Sequence, residues 1–301
     1  MNFYCYNHQN KGDVYIKALV DAGHHHADNM DASSFLLIDI DVLSRRRYID
    51  HYQTTGENVF LYPHTGRPVL QWDGMYEPHP HVTAVFTTGK GGMNVPRRYG
   101  FEKPIHAVGW TFCKLKDFQP CEHPKKVLYA PIHVNGNGFM TTRERLTNAD
   151  VFKKLLEAKD IELTVRYLHY LEWNGLWEVP GVTYVQGQPD QSTKEIDESD
   201  VIISHQNMGY LAVARGKPAM FMSEEKVPIS GNNPKNVKTV ASWDKYKDEL
   251  MFPLDFMAEG SARELLNAAG KDNKEVADWR ETYIGSQFSS EKFVGILESY
   301  L

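Results

Sequence analysis

One stretch constrains this chain more than any other: Asp200-Val201-Ile202-Ile203-Ser204-His205-Gln206-Asn207-Met208-Gly209-Tyr210-Leu211-Ala212-Val213-Ala214-Arg215-Gly216-Lys217-Pro218-Ala219-Met220-Phe221-Met222. A β-branched apolar run ends at Ser204, and small and polar residues follow. A helical run from Gly209 to Arg215 then stops at Gly216, and Pro218 opens a second apolar run. Strand, loop, helix and strand in that order form a βαβ unit, because a parallel partner strand is reached only by a crossover. A chain built of such units buries a parallel sheet between layers of helix.

The alternation recurs in two series. In the first, Phe3 to Tyr6, Phe35 to Ile38, Asn58 to Tyr62, His81 to Phe86 and Ile105 to Val108 read as strands. Asp13 to Ala22 reads as a helix, with Val14, Ile16, Ala18, Leu19 and Ala22 on its apolar face and Gly23 closing it. Loops rich in Gly, Pro and His, such as Gly89-Lys90-Gly91-Gly92, fall at strand ends, where α/β proteins place their binding groups. The charged, proline-bearing stretch Lys116 to Lys126 reads as an interdomain linker. The second series has strands at Val127 to Ala130, Ile161 to Val165, Val182 to Val185 and Val201 to Ser204, with a helix at Asn148 to Ala158 capped by Asn148. Helices at Ser261 to Asn267 and Lys274 to Tyr283 follow, and Ser289-Ser290-Glu291 caps another that runs on towards Leu301. The expected fold is α/β, with two facing doubly wound, Rossmann-like domains at 1–120 and 121–285, and 286–301 as a helix crossing back to the first. The linker and the uneven spacing count against an eight-fold barrel.

A length of 301 residues suits two domains. No apolar run approaches the roughly 20 residues of a membrane helix, and the first residues lack a basic region followed by an apolar stretch. A cytoplasmic chain without membrane insertion is expected. The net charge of -6 argues against a protein dominated by nucleic-acid binding, while leaving local basic patches at Arg45-Arg46-Arg47, at Lys90 with Arg97-Arg98, and at Arg143 with Arg145. Cys5, Cys113 and Cys121 show neither a paired framework nor zinc spacing and read as reduced thiols, Cys5 within a buried strand. His24-His25-His26 reads as a solvated loop, since consecutive residues on a turn rarely converge on one ion.

The start of a helix offers N–H groups and a positive dipole end. After Ser204 these suit a diphosphate, with Gly209 allowing close backbone approach; a plain βαβ turn with polar capping residues is the alternative. Gly209 to Pro218, together with Lys11-Gly12-Asp13-Val14-Tyr15-Ile16-Lys17-Ala18-Leu19-Val20-Asp21-Ala22-Gly23-His24, resembles the GT-B glycosyltransferases and the related nucleotide-sugar 2-epimerases over both halves of the chain. The resemblance implies a nucleotide-diphosphate sugar, expected to be a UDP-sugar, held on the C-terminal half, and metal-independent transfer to a hydroxyl with no cofactor. It implies donor contacts from Gly12, from Asn137 and Gly138 in the loop after Val127 to Pro131, and from His205, Gln206, Asn207, Met208 and Gly209. Gln186 and Gly187 would meet the nucleobase, by backbone more than side chain. Glu224 would accept from the ribose hydroxyls, although the commoner pattern puts that acid in the preceding helix. Asp39-Ile40-Asp41 then reads as strand-end polar residues rather than a metal pair.

Inverting transfer requires a base for the acceptor hydroxyl proton. His8 is the first candidate and Asp13 the second; Asp13 reads equally as the N-cap of the first helix. A retaining reaction would need neither. Arg45, Trp72, Asp73 and Arg97 are the candidate acceptor contacts. The acceptor stays open, and a hydroxymethylated pyrimidine in DNA is one candidate: Arg45 to Arg47, Arg67, Arg97 and Arg98 would meet phosphates, and Trp72 or Tyr76 an extruded base. The competing functions are a nucleotide-sugar 2-epimerase, a CDP-linked phospho-alcohol transferase and a non-catalytic nucleotide-sugar-binding protein.

Overall fold

The computed structural model describes residues 1–6, 10–39, 58–63, 82–93, 97, 102–130, 150–168, 179–204, 207–221, 252–256 and 258–301. The chain forms two units, Met1–Phe112 with Glu281–Leu301, and Cys113–Arg280.

The first unit holds strands β1 (Asn2–Tyr6), β2 (His25–His26), β3 (Phe35–Asp39), β4 (Asn58–Tyr62), β5 (Ala84–Thr87) and β6 (Ile105–Ala107), and helix α1 (Asp13–Asp21). The strands form one sheet in the order β2-β1-β3-β4-β5-β6, every pair parallel. Phe3, Cys5, Phe35, Leu37, Phe60 and Tyr62 turn to one face, where Tyr15, Ala18 and Leu19 of α1 cover them. Leu36, Ile38, Val59 and Leu61 alternate with these and are also buried, which is why the strands read as unbroken apolar runs. A later helix, Ser290–Glu298, closes the same face with Phe293, Val294 and Leu297. The Phe293 ring stands 5.1 Å from Tyr15 and 4.9 Å from Phe86. Each such buried side chain contributes roughly 1.5–3 kcal/mol of transfer free energy.

The second unit holds β7 (Lys126–Ala130), α2 (Asp150–Glu157), β8 (Glu162–Leu168), β9 (Thr183–Gly187), α3 (Ser192–Asp197), β10 (Val201–Ser204), α4 (Asn207–Ala214), β11 (Ala219–Phe221), α5 (Ala262–Ala269) and most of α6 (Lys274–Tyr283); the Ser290–Glu298 helix is α7. Its sheet runs β11-β10-β7-β8-β9, again all parallel. Val127, Tyr129, Leu163, Val165, Val201 and Ile203 pack against Phe152 and Leu155 of α2 and Leu266 of α5.

The structure corrects several expectations. His24-His25-His26 is no solvated loop. His25–His26 is an edge strand beside β1, and the His26 ring nitrogen accepts from the Cys5 N–H at 3.3 Å. His24 is buried with its Nε2 3.1 Å from the Glu298 carboxylate. The helix expected from Gly209 begins two residues earlier, at Asn207, leaving the glycine inside it. Glycine there costs about 1 kcal/mol against alanine, and the space it leaves is taken by the Phe221 ring, 2.6 Å from where a Cβ would stand. Helix α3 was not foreseen. The stretch expected as a linker is fastened to the second unit: Lys116 N–H donates to the Ala214 carbonyl at 3.1 Å, Gln119 N–H to Gly216 at 2.7 Å and Cys121 N–H to Gly270 at 2.8 Å. Arg215 and Lys116 both bind the Asp197 carboxylate, and Arg215 above all holds that carboxyl below its ordinary range. A Cβ on Gly216 would run into the Asp117 carbonyl and one on Gly270 into that of Cys121.

Candidate functional site

In parallel sheets, ligands bind at the carboxyl ends of the strands where the strand order reverses. In the second unit that point lies between β7 and β10, whose last residues, Ala130 and Ser204, are partners in register. Helix α4 starts at Asn207, three residues beyond Ser204, and its first turn carries no acidic residue. The opening N–H groups of any α-helix lack an acceptor within the helix, and its dipole places partial positive charge there. The start of α4 is held by an aromatic cluster: Tyr210 stacks on Trp279 at 5.8 Å, and Phe221 lies 5.1 Å from Tyr210 and 4.7 Å from Phe252. Met208 is buried, and the side-chain face of Gly209 meets Phe221, so only its backbone is available to a ligand. His205 and Gln206, the two residues between β10 and α4, lie outside the described residues, as do Asn137, Gly138 and Glu224.

On the same carboxyl edge, β9 ends at Gly187, three strand positions from β10. At strand spacing that is about 14 Å, the reach of an extended nucleoside diphosphate. Gln186 is exposed and Gly187 buried. Arg166, which the sequence reading did not single out, lies over this turn. Its only sequence signal is a cation in the middle of an apolar strand.

In the first unit the order reverses between β1 and β3, at Tyr6 and Asp39. Gly12, buried, is the N-cap of α1 and makes no side-chain cap bond, whereas Asp13 is exposed as the first helical residue, so Asp13 is not the cap. Its negative charge in the first turn suits the helix dipole. Asp39, expected as a strand-end polar residue, is fully buried at the end of β3 opposite Tyr62. Around it, burial pushes the Cys5 thiol and the Tyr15 and Tyr62 phenols well above their ordinary values, and the Asp39 charge adds to each. The glycine loop after β5 receives the chain's own return segment: a Cβ on Gly89 would meet the Thr282 and Tyr283 backbone, and one on Gly91 the Tyr283 ring. Thr88 Oγ1 donates to the Tyr283 carbonyl at 3.0 Å. Arg97 is exposed. His8, Asp41, Arg45 to Arg47, Arg67, Trp72, Asp73, Tyr76 and Arg98 lie outside the described residues.

Among the described residues no three His, Cys, Asp or Glu side chains gather as a metal site would, and no helix is long and apolar enough to cross a membrane.

No protein-family model matches the sequence, and no curated protein matches it. Solved structures match its fold from end to end. The glycosyltransferase SnogD from Streptomyces nogalater superposes with a TM-score of 0.55 at 13% identity, covering 98% of each chain. The glycotransferase of kitacinnamycin gives a TM-score of 0.55 at 12% identity, covering 100% of this chain and 98% of its own. S. aureus MnaA, solved with UDP, gives a TM-score of 0.55 at 12% identity, covering 100% and 96%. The chain has the GT-B fold. At these identities the likeness extends to the architecture, two parallel-sheet α/β units.

Proposed function

We propose that this chain is a metal-independent glycosyltransferase that moves a sugar from a UDP-sugar to a hydroxyl acceptor. The observation that carries the reading is the start of α4 at the order reversal between β7 and β10, with no acid in its first turn. Amide N–H groups aimed at a diphosphate stabilise the charge that builds on it as the bond to the sugar breaks. In this reading Asn207, Met208 and Gly209, with His205 and Gln206, take the diphosphate; Gly12, Asn137 and Gly138 complete the donor contacts, and Glu224 takes the ribose. The turn at Gln186 and Gly187 meets the uracil. The first unit takes the acceptor, with Arg45, Trp72, Asp73 and Arg97 as contacts and His8, or else Asp13, receiving the hydroxyl proton. The fold match to glycosyltransferases and to a protein solved with UDP supports this.

A thermal-shift comparison of UDP, CDP, GDP, ADP and UDP-sugars tests it. A ligand at a hundred times its Kd stabilises the native state by about 2.7 kcal/mol, so UDP and its conjugates are expected to raise the midpoint by about 4–8 °C. If none of the nucleotides moves it, the reading fails. Isomerised sugar formed from donor alone would mark a 2-epimerase instead. Should the acceptor be modified DNA, binding to DNA will fall with salt and be lost in the Arg45→Ala, Arg97→Ala double variant. His8→Ala is expected to keep UDP affinity and lose turnover.

A further inference from the structure

Strand β8 shows two characters on its two faces. Leu163 and Val165 turn into the core beneath α2 and α5, and Arg166, next along, turns to the side where α3 lies. There its side chain is only 9% exposed. Its Nε donates to Glu195 of α3 at 2.5 Å, and one terminal nitrogen donates both to the Gln188 carbonyl and to Ser192 Oγ at 3.0 Å. The same group fills the space beside Gly187, where any Cβ would strike it. One cation thus ties the end of β9, the 3-10 turn Pro189–Gln191 and the start of α3 into a single piece.

Ion pairs this buried add little net stability, because desolvation offsets their attraction, and apolar replacements of like volume are often as stable. What a planar, five-donor fork supplies is fixed geometry, which a lysine ammonium does not reproduce. The piece it fixes is the base-side turn of the site proposed above. We propose that Arg166 is a positioning residue that preforms the Gly187–Gln188 turn for the pyrimidine base of a nucleoside diphosphate. This rests on the donor site assigned above. Arg166 reaches the base only through that turn, so its effect belongs to nucleoside recognition and not to the diphosphate end at α4.

Calorimetric titration of the full chain with UDP, and separately with inorganic diphosphate, tests this in Arg166→Met, Arg166→Lys and Gly187→Ala. Each variant is expected to lose on the order of tenfold in UDP affinity, the worth of a well-placed hydrogen bond. Diphosphate affinity is expected to hold within about twofold in each. Equal losses for both probes, or unchanged UDP affinity in folded variants, overturn the proposal. If the Arg166 variants fail to fold, Gly187→Ala decides, since it displaces the guanidinium while the chain keeps both Arg166 and Glu195. A wild-type chain that binds no UDP would instead sink the donor site itself.

Discussion

The two sheets share one plan and finish their carboxyl edges in opposite ways. In the first unit the chain fills the edge beyond β5. The residues after β5 are bare of side chains at Gly89 and Gly91 so that Thr282 and Tyr283 can lie against them, and α1 already carries a carboxylate at Asp13. In the second unit the helix at the order reversal opens without an acid, and its one interior glycine accommodates a ring from the neighbouring strand. Equal topology does not mean equal chemistry. Among the described residues the first edge carries protein beyond β5 and an acid at α1, while α4 at the other opens with no acid in its first turn, which suits an anion.

Substitutions can break that contrast. The largest effect is expected from Gly89→Ala, because its Cβ meets main-chain atoms of Thr282 and Tyr283 that have no rotamer to change; the loss should be about 3 kcal/mol in denaturant melts. Asn207→Asp gives α4 the charge that α1 already has. It should lower UDP affinity on the order of a hundredfold by like-charge repulsion while leaving the free protein as stable or slightly more so, as titration and melting would show; Asp13→Asn should leave UDP affinity alone. Gly209→Ala should cost about 1–2 kcal/mol, less than Gly89→Ala, because a side-chain ring can shift where backbone cannot. The smallest effect is with pH. In the first unit the folded values of Cys5, Tyr15 and Tyr62 are raised, so their stabilisation is complete below the unfolded values and falls as pH climbs past about 9. Asp197 in the second unit is depressed, so its contribution is present above the ordinary carboxylate range and is lost as pH falls through the folded value. Two melting probes, one in each unit, should therefore report stronger alkaline loss in the first, with Tyr129 the second unit's own raised phenol, and an acid loss under about 1 kcal/mol from the half-exposed Asp197 pair in the second.

Periodicity and capping made much of the architecture legible. Runs such as Phe35 to Ile38 and Val201 to Ser204 are apolar on both faces and sit in the middle of parallel sheets. Ser289 caps α7 as its type suggests, accepting from the Lys292 N–H. Long-range packing was not legible. Nothing local announces that His24 is buried against Glu298, that Gly216 and Gly270 admit carbonyls from the 113–121 stretch, or that Arg166 of β8 bonds Glu195 of α3. Glycine is the hardest case: the sequence suggests approach by a phosphate at Gly209 and a binding loop at Gly91, whereas the space each missing side chain leaves is taken by an aromatic ring of the protein.

The closing helix of the first core, with Phe293, Val294 and Leu297, follows the whole of the second unit along the chain. During synthesis the earlier strands must wait with an open apolar face until a complete later domain has emerged, while that later domain has all its parts in one continuous piece. The first unit is therefore the one in need of chaperone cover on the ribosome, and nascent chains stalled before residue 290 should show it protease-sensitive beside a resistant 113–280 fragment.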